Sequence, residues 1–233
     1  MRIVAFTARG YPAPRFRERE KRVFRSVMPS AQPENFHSLL ATMKRAGAAL
    51  RENGVDFMLG GGLAIWARGG PPTDHDVDLF LREEDADRAL HVLTDAGFRP
   101  ERPPEHWLYK AWKDDVLVDV IFRSSRDILL DQEMLDRARI VTFRGREVPV
   151  APPEDLVVMK AVAASEDTPR YWYDAIAIIG QTELDWDYLV ARARQRGARR
   201  MLSLLLFADS VDLVVPPEPI EALYEAIGSR RSA

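Results

Sequence analysis

The chain reads as an α+β protein in which a core of mixed strands and helices is followed by a helical subdomain. Three observations predict this. Strand-like and helix-like apolar patterns alternate through the first two thirds of the chain; from Pro153 onward every apolar segment has helical spacing; and 46% hydrophobic with 30% charged residues is the composition of a folded protein. At 233 residues the chain can form one large domain or two small ones. The expected division is an Arg-rich extension over 1–34, a core over 35–151 and a helical subdomain over 152–233.

The elements come in this order. "PENFHSLLATMKRAGAALRENG" (33–54) opens with Pro, carries apolar residues at helical spacing and stops on Asn-Gly, so it predicts a helix. "VDFMLGG" (55–61) is a short buried strand broken by glycines, and "GLAIWARGG" a short helix ended by Gly69 and Gly70. "DVDLFL" (76–81) is a strand and "EEDADRALHVLTDAG" a helix stopped at Gly97. "EHWLYKAWKDDVLVDVIFR" (105–123) predicts a hairpin turning at Lys113 to Asp115, and "ARIVTFRGREVPVA" a second one turning at Arg144-Gly145. "PEDLVVMKAVAA", "RYWYDAIAIIG", "WDYLVARARQRG", "ARRMLSLLLFADS" and "EPIEALYEAIG" are successive helices.

Composition narrows the chemistry. A net charge of −3 supplies no global field toward nucleic acid or membrane. The absence of cysteine removes disulfides, thiolate catalysis and Cys-type zinc sites, and favours a reducing cytoplasm. No apolar run approaches the roughly 20 residues that span a bilayer, and the N-terminus lacks the pattern of a secretory signal. The Arg-rich first two dozen residues read as a loosely docked extension. The alternative is a phosphate-contacting arm, because Arg forks suit phosphate.

Residues 73–80, "TDHDVDLF", concentrate carboxylates. On an extended strand Asp76 and Asp78 share one face about 7 Å apart while Val77 and Leu79 turn into the core. Such a pair can converge on hard divalent cations. Asp74 belongs to the loop end. A calcium EF-hand loop is excluded, since its sixth and twelfth positions here are Leu79 and Asp85 rather than Gly and Glu. Upstream, Gly61 and Gly62 sit between a strand and a helix, where backbone N–H groups can hold a phosphate. Downstream, "VLVDVIF" sets Asp119 alone in an apolar strand, which makes it a candidate third metal ligand. His75 reads as a loop histidine. Trp107, Trp112, Trp172 and Trp186 read as core rather than base-stacking, and Arg192, Arg194, Arg196, Arg199 and Arg200 as a solvated face rather than an RNA patch.

Together, "GGLAIWARGGPPTDHDVDLF" and the strand aspartate Asp119 resemble the G-G…D-h-D-h signature of the nucleotidyltransferase superfamily with the polymerase-beta-like fold. "PEDLVVMKAVAASEDTPRYWYDAIAII" resembles the AbiEii-type branch, relatives of the MenT toxins, on which match Lys160 and Asp174 are the equivalents of its helical Lys and Asp. The resemblance covers roughly residues 36–180. It departs from the pattern before the D-x-D, where many relatives carry Arg or Lys and this chain has Pro71, Pro72, Thr73 and Asp74.

The resemblance implies a nucleotidyltransferase-fold mixed sheet flanked by helices, and transfer of a nucleoside monophosphate from an NTP to an acceptor with pyrophosphate leaving. It implies Mg²⁺ or Mn²⁺ on Asp76, Asp78 and Asp119, catalysis by these three with Lys160 and Asp174, and nucleotide binding by Gly61, Gly62, Thr73 and Lys160. The implied acceptor is RNA (a tRNA end as in the toxins), a protein or a small molecule, and an antitoxin protein is a further implied partner. The alternative expectation is a non-catalytic nucleotide- or partner-binding module on the same fold.

Overall fold

The computed structural model describes residues 34–125, 127–143, 145–165 and 167–229. The Arg-rich extension over 1–34 therefore lies, except for Glu34, outside the described residues. The chain runs through α1 (Phe36–Glu52), β1 (Phe57–Leu59), α2 (Gly61–Ala67), β2 (Asp76–Leu81), a 3-10 turn (Glu83–Asp85), α3 (Ala86–Asp95) and β3 (Arg99–Glu101). It continues with β4 (Leu108–Lys113), β5 (Val116–Ile121), α4 (Gln132–Arg137), β6 (Arg139–Phe143) and β7 (Arg146–Val150). Helices α5 (Pro153–Ala163), α6 (Arg170–Gln181), α7 (Trp186–Arg196), α8 (Ala198–Ser210) and α9 (Pro217–Ser229) complete it. No helix among the described residues is long and apolar enough to cross a membrane.

The seven strands form one sheet in the order β3-β4-β5-β2-β1-β7-β6. β2 and β5 are parallel, as are β1 and β7, and the remaining neighbours are antiparallel. This is the α+β architecture that the sequence predicts. One face is closed by α1 and α3. Helix α1 turns a stripe of Phe36, Leu39, Leu40, Met43, Ala46 and Leu50 inward at helical spacing, and Gly47 leaves room for the Phe57 ring, which a Cβ would meet at 3.0 Å. Beneath lie Val77, Leu79, Val118 and Val120, all fully buried. By the two-residue period of the strand, Asp76, Asp78 and Phe80 must then face the opposite side.

The two predicted hairpins form. The β4–β5 turn puts Asp114 and Asp115 at φ 49° and 63°, the pair of left-handed residues that a two-residue turn needs to match strand twist. In the β6–β7 turn Gly145 takes φ 80°. Helix α5 opens with Pro153 and packs against α6, α7 and α8, while α9 packs on α7 and α8.

Two elements escape the sequence reading. β3 is three exposed residues with Pro100 in the middle, a composition tolerated only on a sheet edge. α4 is a short helix capped by the Asp131 side chain, which accepts from Met134 N at 2.9 Å.

The solvated-face expectation for the arginine cluster needs correction at Arg192. Its side chain is buried, donating from Nε to Asp155 Oδ1 at 2.7 Å and pairing through Nη1 with Asp131. Asp155 is itself 2% exposed and also accepts from Tyr188 Oη at 2.7 Å. Burial lifts Asp155 to about 6, against the pull of Arg192 and Tyr188. The network fastens α5 and α7 to the loop before α4. Removing one partner strands the other charge, so Arg192→Met should lower stability by about 3–5 kcal/mol. Adding Asp155→Asn should restore much of that loss, a comparison read by urea unfolding of both variants.

Candidate active site

Asp76 and Asp78 project from one face of β2, and the parallel register sets Asp119 of β5 directly beside Asp78. Carboxylate oxygens of the three lie within 4.8 Å of one another. Asp119 is 8% exposed, and its Oδ1 is buried with no hydrogen bond among the described residues. Three carboxylates this close oppose one another's ionisation. Burial, and next the Asp76 charge, push Asp78 up to about 7, with Lys160 and the Gly62 N–H pulling back. Burial pushes Asp119 up to about 6, partly offset by Lys110 and reinforced by Asp76.

The glycines have a steric task here. Gly61 has φ 53°, and a Cβ on it would stand 1.4 Å from Asp78 Oδ2. A Cβ on Gly62 would stand 2.6 Å from Thr73 Oγ1. Both glycines also line the cleft. Thr73, expected at the nucleotide, is 5% exposed, receives the His75 N–H at 3.4 Å and does not line the cleft. Asp74 stands apart from the triad with its Oδ1 3.2 Å from His75 Nε2, and its carbonyl accepts from Asn35 Nδ2 at 2.7 Å, tying the loop to the start of α1.

Lys160 on α5 reaches the same cleft. Its Nζ lies 3.4 Å from Asp174 Oδ2 on α6 and 3.9 Å from the centroid of the Tyr171 ring. Lys160 and Asp174 side chains are 13% and 12% exposed, so they form a partly desolvated pair rather than two solvated surface groups. Asp174 stands behind Lys160, outside the cleft wall. The cleft, about 950 Å³, lies between the carboxylate face of the sheet and one face of α5 made of Leu156, Met159, Lys160 and Ala163.

Two residues of this region were not anticipated as site residues. Lys110 pairs across the β4–β5 hairpin with Asp119, its Nζ 3.8 Å from Oδ1, and Glu101 of β3 pairs with Lys110 on its other side. The two-residue turn after Lys113 contained that register. Trp107, expected in the core, is 40% exposed and lines the cleft. Trp172 and Trp186 do pack against the core, and Trp112 is half-buried with Nε1 donating to Glu101 Oε2 at 3.0 Å.

The pattern of a protein family described as uncharacterised nucleotidyltransferase matches residues 32–208, a span that holds every one of these groups. The chain belongs to this nucleotidyltransferase family. Among solved structures, the nucleotidyltransferase is similar to the solution structure of the antibiotic-resistance factor ANT(2'')-Ia. The TM-score is 0.50 at 19% identity, over 84% of this chain and 94% of that one. It is also similar to an antigenic nucleotidyltransferase-like protein of Paracoccidioides brasiliensis, with a TM-score of 0.46 and 19% identity over 76% and 94% of the two chains. A third is the lincosamide antibiotic adenylyltransferase LnuA with lincomycin bound, with a TM-score of 0.43 and 13% identity over 65% and 99%. At these identities the likeness to ANT(2'')-Ia speaks for the fold alone. A search among curated proteins finds no match.

Proposed function

We propose that this nucleotidyltransferase moves a nucleoside monophosphate from an NTP to an acceptor with Mg²⁺ or Mn²⁺ held by Asp76, Asp78 and Asp119. The observation that carries the reading is the convergence of three carboxylates, one oxygen of each within 4.8 Å of the others, with a buried oxygen on Asp119, Oδ1, that accepts no hydrogen bond among the described residues. An all-oxygen, triply acidic donor set fits a hard divalent ion. When bound, such an ion stabilises the charge that builds on the attacking and leaving oxygens of an in-line displacement at the α-phosphorus.

The protein's own groups divide the remaining work. Asp119, deeper than Asp76 and flanked by Lys110, accepts the proton of the acceptor hydroxyl as its oxygen bonds to the α-phosphorus. The bond between the α-phosphorus and the bridging oxygen breaks, and its electron pair leaves on pyrophosphate. Lys160, on the Asp78 side, supplies a positive charge to the triphosphate, and Asp174 holds that ammonium in place. Gly61 and Gly62 let the chain approach the phosphates while leaving room for Asp78 and Thr73. The acceptor classes that the reading admits are an RNA end such as that of a tRNA, a protein side chain, and a small molecule. Within an AbiEii/MenT-type toxin pair, an antitoxin protein would be the partner.

The test is incorporation of label from each NTP into cellular RNA, protein and a panel of small hydroxyl compounds, with Mg²⁺ or Mn²⁺. Metal-dependent incorporation supports the reading; metal-independent NTP binding with no acceptor labelled overturns it. Lys160→Met should weaken NTP binding by about 10–100-fold, the size of one lost charge-assisted contact, as measured by titration calorimetry with Mn²⁺.

A further inference from the structure

Among the described residues that line the cleft, three are Phe, Tyr or Trp, and Trp107 is the most exposed of them. Phe80 is 3% exposed, and Tyr171 is half-buried with Lys160 over its ring. Trp107 is 40% exposed. We infer that Trp107 is a stacking platform on which a nucleobase lies while the α-phosphate is held at the carboxylate triad, an assignment that rests on the reading just proposed.

The position of Trp107 supports this. Lys160 and Tyr171 stand together on the helical wall, with Nζ 3.9 Å from the ring centroid, whereas Asp119 pairs with Lys110 of β4, so the two sides of the cleft are distinct. Trp107 belongs to the second. Its carbonyl accepts the N–H groups of Phe122 and Arg123, each at 3.2 Å, which places it just past the end of β5, three to four residues beyond Asp119. That is about 10–13 Å of extended chain. Between them the floor is apolar, made by Ile121 beside Phe80 on β2. A triad, an apolar floor and an exposed indole in that order suit a phosphate, a sugar and a flat base.

The corner that carries Trp107 is set by its neighbours. His106, just before it, is in the left-handed region at φ 56°, which histidine adopts more readily than most non-glycine residues. Arg123 pins the same corner, with Nη2 2.8 Å from Glu83 Oε1 and Nη1 3.5 Å from Asp127 Oδ1. Two of its three guanidinium nitrogens are thereby engaged, while Nε is buried without a hydrogen bond among the described residues. Stacking on an indole is tolerant of base identity, since every base has a π-face.

The base has two sources, the NTP itself or an RNA acceptor, and two measurements on the full chain separate them. The first compares Mn²⁺-dependent binding of ATP and of inorganic tripolyphosphate to wild type, Trp107→Ala and Trp107→Phe. The second measures binding of a fluorescein-labelled single-stranded RNA octamer to the same proteins with tripolyphosphate present. Loss of about tenfold in ATP affinity in Trp107→Ala, with tripolyphosphate unchanged and Trp107→Phe near wild type, assigns the platform to the NTP base. The same loss confined to the octamer assigns it to the acceptor. If Trp107→Ala leaves both unchanged, or weakens tripolyphosphate equally, the platform is refuted while the triad reading stands. If wild type binds neither ATP nor tripolyphosphate with metal, the triad reading and the platform fall together.

Discussion

Asp78→Asn is expected to give a protein that transfers no measurable nucleotide and yet melts at a higher temperature than wild type at pH 8. The loss of activity should be at least about three orders of magnitude, the size expected when several kcal/mol of charge stabilisation is removed. The gain in stability comes from the site's own repulsion. Asp78 has an ordinary value of 3.8 and is raised to about 7 in the folded chain, first by burial and then by Asp76. The folded protein thus holds a proton that the unfolded chain has already lost between about pH 4 and pH 7. Its contribution to stability is complete below that window and disappears as pH rises through it. Metal-free wild type should therefore lose melting temperature from pH 5 to pH 8, and Asp78→Asn, which carries no charge to bury, should lose less. Mn²⁺ should recover the wild-type loss at pH 8 and leave the variant nearly unchanged. Melting curves in EDTA and in Mn²⁺ decide the matter, and a wild-type profile flat between pH 5 and pH 8 would contradict it.

Gly61→Ala should be the most damaging single methyl in the molecule. The new carbon would stand 1.4 Å from Asp78 Oδ2 and 2.9 Å from Asp78 Cβ, on a backbone at φ 53°. Either α2 lifts or Asp78 leaves its place beside Asp119, and both disperse the triad. Overpacking and the left-handed backbone together give a loss of about 2–5 kcal/mol. Urea unfolding should show that loss shrinking in an Asp78→Ala background, where the crowding carboxylate is gone and mainly the backbone strain remains. Equal losses in both backgrounds would mean that Gly61 is required for its backbone alone.

Much of the architecture was legible because it depends on local patterning. Alternation of Asp76, Val77, Asp78 and Leu79 announces a two-faced strand, and the glycines mark where α1 and α2 end or begin. Asp119 was visible as a charge in an apolar strand, since such a group is unfavourable without a partner. What was hidden depends on pairing between distant segments. Arg192 looks like its four neighbouring arginines, and only Asp131 and Asp155, brought in from two other places, take it out of water. β3 has no apolar alternation because it is an exposed edge that its neighbour β4 alone defines. Trp107 resembles a core residue in composition, yet it is exposed and lines the cleft.

The parallel pairing of β2 with β5 also bears on how the chain reaches its native state. β4 and β5 are joined by two residues and can zip within microseconds, but β2 and β5 must close some forty residues of intervening chain before Asp78 meets Asp119. The three acidic groups are therefore scattered through early folding and are forced together only as the centre of the sheet forms. Electrostatic repulsion thus falls on the least local step of the reaction. The cluster proposed as the catalytic centre thus acts as a brake on the chain's own assembly, one that acid or a divalent ion would release.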